Sequence, residues 1–269
     1  MSRLRRLLRP LGIALAAVGA LLTLGFVEHS TAKAPIADVK VRVLGGEGLH
    51  FIDEPAVRRA IVDQGAVIGR ASGQVDLAGL EQRLRSIPCV AGAEAYHDLN
   101  GALHVTVRQR EPVIRVINAD GSSFYIDVDG YTMPVEERFT ARVPVAMGWL
   151  SEPGAVHGVI NVHGHDTLTS RYFSDELHRL ALFLHGDELW SALIDQVVVS
   201  ADGQFELVPT VGAQRILIGD GSALEQRFAK LRLFYQHGIP KADWRRYNRI
   251  DLRFSDQIVC TKRTNPHEQ

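Results

Sequence analysis

Three histidines crowd one short stretch, His157, His163 and His165, with Asp166 beside the last. A His-x-His pair can chelate a metal from one strand, because residues i and i+2 of an extended chain share a face. Gly158 and Gly164 make the same stretch read as a polar loop, and no His-Glu-x-x-His motif accompanies it. His178 and His185 lie seven apart on a helical pattern and read as surface residues, with His185 well placed near a helix C-terminus. Asp127-Val128-Asp129-Gly130 opens like a calcium loop, but its glycine comes too early, so the stretch reads as a hairpin turn. Gly219-Asp220-Gly221-Ser222 is no nucleophile elbow, and Gly45-Gly46-Glu47-Gly48 lacks the spacing and the lysine of a phosphate cradle. A nucleophile, a base and oxyanion donors cannot be assembled in named roles. The chain therefore reads as non-catalytic, with no cofactor and no metal.

The elements that carry these residues fall into two groups. Val39, Val41 and Val43 alternate with Lys40 and Arg42, the pattern of a half-buried strand. Asp53 is placed to cap a helix over Val57 and Ile61. Leu77, Leu80, Leu84 and Ile87 line one face of a second helix, which Pro88 ends. Val90 to His97 and Leu103 to Gln109 read as strands joined at Asn100-Gly101, since both residues tolerate positive φ. The order is β-α-α-β-β. Beyond it come strands at Val113–Asn118, Ser123–Asp127, Tyr131–Pro134 and Arg142–Gly148, then a Gly- and His-rich loop from Ser151 to Asp166. Phe173, Leu177, Leu180 and Leu184 mark a helix that stops at Gly186. Ile194–Ser200, Gln204–Val208 and Gln214–Ile218 read as strands. Ser222 and Glu225 match a capping box before a helix lined by Leu224, Phe228, Leu231 and Tyr235. Asn248–Phe254 and Gln257–Lys262 close the pattern as a β pair.

Ahead of all this, Arg3, Arg5, Arg6 and Arg9 precede the uncharged run Leu11–Val27. At ~1.5 Å per residue the run spans about 26 Å, a little short of a bilayer core that the flanks can complete. The arginines set the N-terminus inside, giving a single-pass protein with the bulk of the chain outside the cytoplasm. The rival is a cleaved leader ending at Ala32-Lys33-Ala34; the length of the run and Pro35 after the site favour the anchor. The formal net charge is −1, of which the four arginines contribute +4, so the remainder is mildly acidic and unsuited to nucleic acid. Two cysteines, Cys89 and Cys260, are too few for a disulfide scaffold, and their pairing is left open.

A β-α-α-β-β unit directly outside one span resembles a POTRA domain. Ser86-Ile87-Pro88-Cys89-Val90 and Arg110-Glu111-Pro112-Val113 are similar to steps that enter the second strand and leave the unit in the bacterial division family FtsQ (DivIB). The second half resembles the β-domain of that family, especially its Bacteroidetes-like versions. The supporting motifs are Phe124-Tyr125-Ile126-Asp127 to Gly130, Ile218-Gly219, and Ile250-Asp251-Leu252-Arg253-Phe254. The Ser151–Asp166 stretch has no place in the pattern. The resemblance implies an α+β fold. Residues 1–10 would be a cytoplasmic tail, 11–29 a transmembrane helix, 30–37 a linker and 38–110 the POTRA domain. Residues 111–262 would form a mostly antiparallel β-domain with two helices, and 263–269 a tail.

With no reaction to run, the surface is what remains. A strand at a sheet edge shows unpaired N–H and C=O groups that can template another chain. In the resembled family the last strands of the β-domain receive FtsB in complex with FtsL. Carried over, the implication spans Arg249 through Lys262, and the docking set is Arg249, Ile250, Asp251, Leu252, Arg253, Phe254, Gln257, Ile258 and Val259. Ile250, Leu252 and Phe254 are expected in the core, Asp251 and Arg253 on the opposite face. The implied protein is an inner-membrane scaffold at the division septum, meeting FtsB/FtsL-like and other division membrane proteins. The alternatives are a POTRA-type polypeptide-transport module, a membrane-anchored periplasmic binding module and an anchored hydrolase on the histidine loop.

Overall fold

The computed structural model describes residues 18–19, 34–46, 48–63, 65, 67–98, 100–136, 138–164, 173–238 and 246–263. The expected cytoplasmic tail, most of the apolar run, His165, Asp166 and nearly all of the C-terminal tail lie outside those residues. Among the described residues no helix is long and apolar enough to cross a membrane. The described chain forms two compact units. One takes in Ile52–Gln109 and the strand before Gly45; the other takes in Gly46–Phe51 and the chain from Arg110 onward.

The first unit is a three-stranded sheet backed by two helices. Strand β1 (Asp38–Leu44) leads through α1 (Glu54–Val62), a 3₁₀ turn and α2 (Leu77–Arg85) to β2 (Val90–His97) and β3 (Ala102–Gln109). The order in space is β1-β3-β2, with β1 parallel to β3 and β2 antiparallel to it. A parallel pair needs a long crossover, and the two helices supply it. Each helix starts where an aspartate accepts an orphan N–H: Asp53 from Ala56 at 2.7 Å and Asp76 from Gly79 at 2.9 Å. Val57, Ile61, Leu80 and Leu84 turn inward against Val39, Val41, Leu103, Val105 and Val107. Burying each of these leucines is worth about 1.5–3 kcal/mol. At the β2–β3 turn Gly101 has φ +80°, and Asp98 accepts N–H bonds from Asn100 and Ala102.

The second unit is built on a nine-stranded sheet. Its strands are β4 (Pro112–Ile117), β5 (Ser123–Asp127), β6 (Thr132–Pro134), β7 (Val145–Gly148), β8 (Ile194–Val199), β9 (Phe205–Pro209), β10 (Arg215–Gly219), β11 (Tyr247–Asp251) and β12 (Val259–Lys262). They lie in the order β12-β11-β10-β9-β8-β7-β4-β5-β6. The sheet is mostly antiparallel, as expected, but it is mixed, a feature the sequence did not disclose. Strands β4/β7, β7/β8 and β10/β11 run parallel. Two of these junctions are crossovers through helices, α3 (Phe173–His185) with α4 (Glu188–Leu193) for the first and α5 (Leu224–Leu233) for the second. Helix α4 is additional to the two expected helices; Asp187 caps it through the N–H groups of Leu189 and Trp190.

One sheet face carries the core. Leu177, Leu180, Ala181 and Leu184 of α3, Trp190 of α4, and Phe228 and Leu231 of α5 pack on Val197, Val199, Phe205, Leu207, Ile216 and Ile250. The Phe228 ring lies 4.7 Å from Phe183 and 5.0 Å from Trp190, centroid to centroid. The expected capping box at Ser222 does not form. Ala223 takes a left-handed conformation at φ +49° and no side chain caps α5. The Ser222 hydroxyl instead donates to Asp220 at 2.7 Å, and that carboxylate also takes Arg227 at 3.0 Å. These bonds hold the Asp220 carboxyl down to about 2, the Ser222 hydroxyl contributing most, then its N–H, then Arg227.

Candidate strand-docking edge

The final ribbon meets the sheet through β10. Arg215, Ile216 and Leu217 align with Arg249, Ile250 and Asp251 in parallel, and β12 then runs antiparallel along β11. The Leu252 N–H donates to the Leu217 carbonyl at 2.9 Å. Backbone groups of alternate residues point to opposite sides of a strand, so Ile250 and Leu252 face β10 while Arg249 and Asp251 face β12. Their partners in register are Thr261 and Val259. Those two residues therefore spend their N–H and C=O groups inward, and the groups of Cys260 and Lys262 point outward. Among the described residues no strand lies beyond β12.

The residues expected at this edge divide accordingly. Arg249, Ile250 and Asp251 sit on β11, an interior strand paired on both sides. Ile250 and Leu252 are core residues, as expected. Phe254 is not; its side chain is 45% exposed, because the chain leaves the sheet after Leu252 and turns toward solvent. Lys230 of α5 holds that turn by donating to the carbonyls of Leu252 (3.0 Å) and Phe254. Asp251 is buried and grips Arg253 through Nε at 3.1 Å and Nη2 at 2.8 Å. Burial pushes the Asp251 carboxyl up, but the Arg253 guanidinium and N–H outweigh it and hold the carboxyl below its ordinary value. Gln257 is exposed, Ile258 half-buried against the core, and Val259 39% exposed. The outward groups of Cys260 and Lys262 lie within the Arg249–Lys262 stretch carried over from the family, but the resemblance did not single them out. Their direction follows from a pairing with β10 that alternation of side chains does not reveal.

The opposite edge of the sheet is covered. Strand β6 ends in Pro134, which has no N–H, and residues 158–162 fold over the rest. Thr132 N–H donates to Ile160 O at 2.8 Å, Ile160 N–H to the Thr132 hydroxyl at 2.9 Å, and Val162 N–H to Gly130 O at 2.9 Å. In the first unit, strand β2 is managed by side chains: Glu81 accepts the Ala95 N–H at 2.9 Å, and Arg85 donates to the Ala93 carbonyl. Charge also distinguishes the open ribbon. Arg246, Arg249, Arg253, Lys262 and Arg263 outnumber Asp251 and Asp256 there, whereas the chain as a whole is nearly neutral.

The histidines do other work. His163 pairs with Asp175 of α3 at 2.6 Å, and its ring meets His178 edge-on at 5.0 Å. His178, expected at the surface, is buried and bonds the Asp127 carbonyl at 3.0 Å. Burial lowers its pKa, and the neighbouring His163 charge lowers it further. Asp127 serves the hairpin, accepting N–H bonds from Asp129 and Tyr131 and an Arg110 Nη1–H at 2.7 Å. Among the described residues no three His, Cys, Asp or Glu side chains converge as a metal site. Cys89 and Cys260 are both free thiols.

Comparison with known proteins bears on the same region. Residues 111–261 match the family model described as FtsQ/DivIB, C-terminal related. The chain belongs to the FtsQ/DivIB family. It is also 28% identical over 229 residues to the cell division protein FtsQ of Rhodothermus marinus, covering 82% of this chain and 77% of that one. In this family member the matched region coincides with the nine-stranded sheet and its helices, so the open ribbon lies within the part that defines the membership.

Proposed function

We propose that this chain is a non-catalytic, single-pass inner-membrane protein of cell division, acting as a scaffold at the septum. Its apolar run would anchor it with the N-terminus inside, and the first unit would serve as a POTRA-type domain. The β12 edge would receive a strand from an FtsB/FtsL-like partner. The observation that carries this reading is the asymmetry of the large sheet among the described residues: one edge is closed by its own loop, the other ends in backbone groups that no described strand pairs. An incoming strand gains affinity from the main chain and specificity from alternate side chains. The surplus of arginine and lysine along the ribbon favours an acidic strand.

Two measurements test it. A fluorescent fusion in the source cell is expected to form a midcell band; even peripheral staining would count against the division role. Copurification of the FtsB/FtsL-like pair with the full chain is expected to fail when β12 is changed so that its outer edge cannot pair. Undiminished capture by such a variant would remove the docking site while leaving family membership untouched.

A further inference from the structure

Among the described residues of the second unit Trp149 is the most exposed large apolar side chain, at 71%. Its position is rigid. Gly148 before it has φ +112°, and a Cβ there would stand 2.2 Å from the Val199 carbonyl oxygen, so only glycine makes this bend. The Trp149 N–H then donates to that same carbonyl at 2.9 Å. Leu150 follows into the core, and Asn118 clamps the next loop by accepting the Glu152 N–H at 2.9 Å. The indole is displayed on a fixed backbone, so little freedom is lost when something covers it. Rigid, exposed tryptophans of this kind are the usual anchors of protein contacts.

Its neighbours give the chemistry of what would cover it. Strand β7 lies between β4 and β8, parallel to both. The ends of those two strands are Asp-Gly turns, Asn118–Ser122 and Ser200–Gln204, so Trp149 emerges with one turn on each side. The Ala119 N–H bonds the Leu150 carbonyl, which brings the first turn alongside. Asp120 accepts the Ser122 N–H at 2.9 Å and its hydroxyl at 2.6 Å; Asp202 accepts the Ser200 hydroxyl. In both cases the serine hydroxyl is the main cause holding the carboxyl below its ordinary value. Neither is in a close salt bridge among the described residues; Arg253 gives its hydrogen bonds to Asp251 and reaches Asp202 only through its longer-range charge. The third such turn differs, because its Asp220 is matched by Arg227. An indole with a carboxylate turn on each side suits a guanidinium: the ring attracts the cation, the planar group stacks, and the carboxylates accept its N–H groups.

We propose that Trp149, flanked by Asp120 and Asp202, docks an arginine-bearing extended segment of a partner protein, at a surface separate from the β12 edge. The test uses the full chain in phosphatidylcholine nanodiscs, labelled with 5-fluorotryptophan, with the Trp149 signal assigned by Trp149→Phe. The probe is a Gly-Arg-Gly-Arg-Gly peptide, with Gly-Glu-Gly-Glu-Gly as its control. The arginine peptide is expected to move the Trp149 fluorine signal saturably and leave the buried Trp190 signal in place. Asp120→Asn with Asp202→Asn is expected to weaken that binding about threefold or more, with an unchanged melting temperature showing that the fold is kept. The proposal is overturned if the arginine peptide moves nothing, if the glutamate peptide moves the signal equally, or if the double variant binds as before. It is also overturned if the signal shifts with protein concentration alone, which would make a second copy of the chain the occupant.

Discussion

Proline scanning of β12 separates the outward backbone groups from the inward ones. Cys260→Pro deletes an N–H that points away from β11, and edge strands tolerate proline at such positions. Val259→Pro deletes an N–H aimed at Asp251 across the ladder. The first change leaves the sheet its hydrogen bonds and removes one from any incoming strand. At about 0.5–1.5 kcal/mol for a net hydrogen bond, partner affinity falls about 2- to 12-fold, and further where the ring obstructs close approach. The second change costs the fold a ladder bond and distorts the strand, about 1–3 kcal/mol, or roughly 2–12 °C in Tm for a chain of this size. Binding of the FtsB/FtsL-like pair to the full chain by biolayer interferometry, beside thermal unfolding of both variants, reads the two effects separately. A Cys260→Pro protein that keeps its Tm and binds at wild-type strength refutes the assignment of the outer edge. So does one whose Tm falls as far as that of Val259→Pro, since the direction of the backbone groups would then be reversed.

Three further outcomes follow from the cited interactions. His178 is buried with its pKa lowered, so the unfolded chain takes up a proton first; stability should fall as pH drops below about 6.5 and level off below the folded value. His178→Phe should flatten that slope in urea titrations at pH 7 and pH 5. Asp220 titrates near 2 in the folded protein, so its contribution is present above the usual carboxylate range and is lost as pH falls toward 2. Because this side chain is largely exposed, Asp220→Asn should cost about 1 kcal/mol or less at pH 7, and that cost should shrink as pH falls through about 2. Replacing Glu81 and Arg85 together by alanine strips the side-chain partners from the β2 edge. Stability should drop by about 1–2 kcal/mol, and light scattering should show concentration-dependent association that the parent lacks.

Periodicity carried much of the fold. Leu80 and Leu84, Leu177 to Leu184, and Phe228 with Leu231 are buried where their spacing placed them. What it could not carry was pairing. Alternation in β7, β8 and β10 is the same for parallel and antiparallel neighbours, so the mixed sheet was invisible until the helical crossovers closed it. Helix α4 is too short, at Glu188–Leu193, to show a stripe. The Ser222-x-x-Glu225 motif misled because Asp220 competes for the hydroxyl, and a local Asp-Gly turn won over the helix end. His178 looked polar and therefore superficial; a carbonyl from the Asp127 turn lets it be buried. At the candidate site the ribbon itself was legible from Ile250 and Leu252. Which of its strands stays open, and which groups face out, depended on the parallel partner β10.

The cover over β6 also limits what this sheet can build. Polymerisation by sheet extension needs two acceptors per subunit, one at each end, and here the second is occupied by residues 158–162 of the same chain. Growth through β12 must then terminate after a single addition, whether the added strand belongs to another protein or to a twin. Among the described residues the sheet therefore offers one end for extension, and a stack along this axis has no second end to grow from.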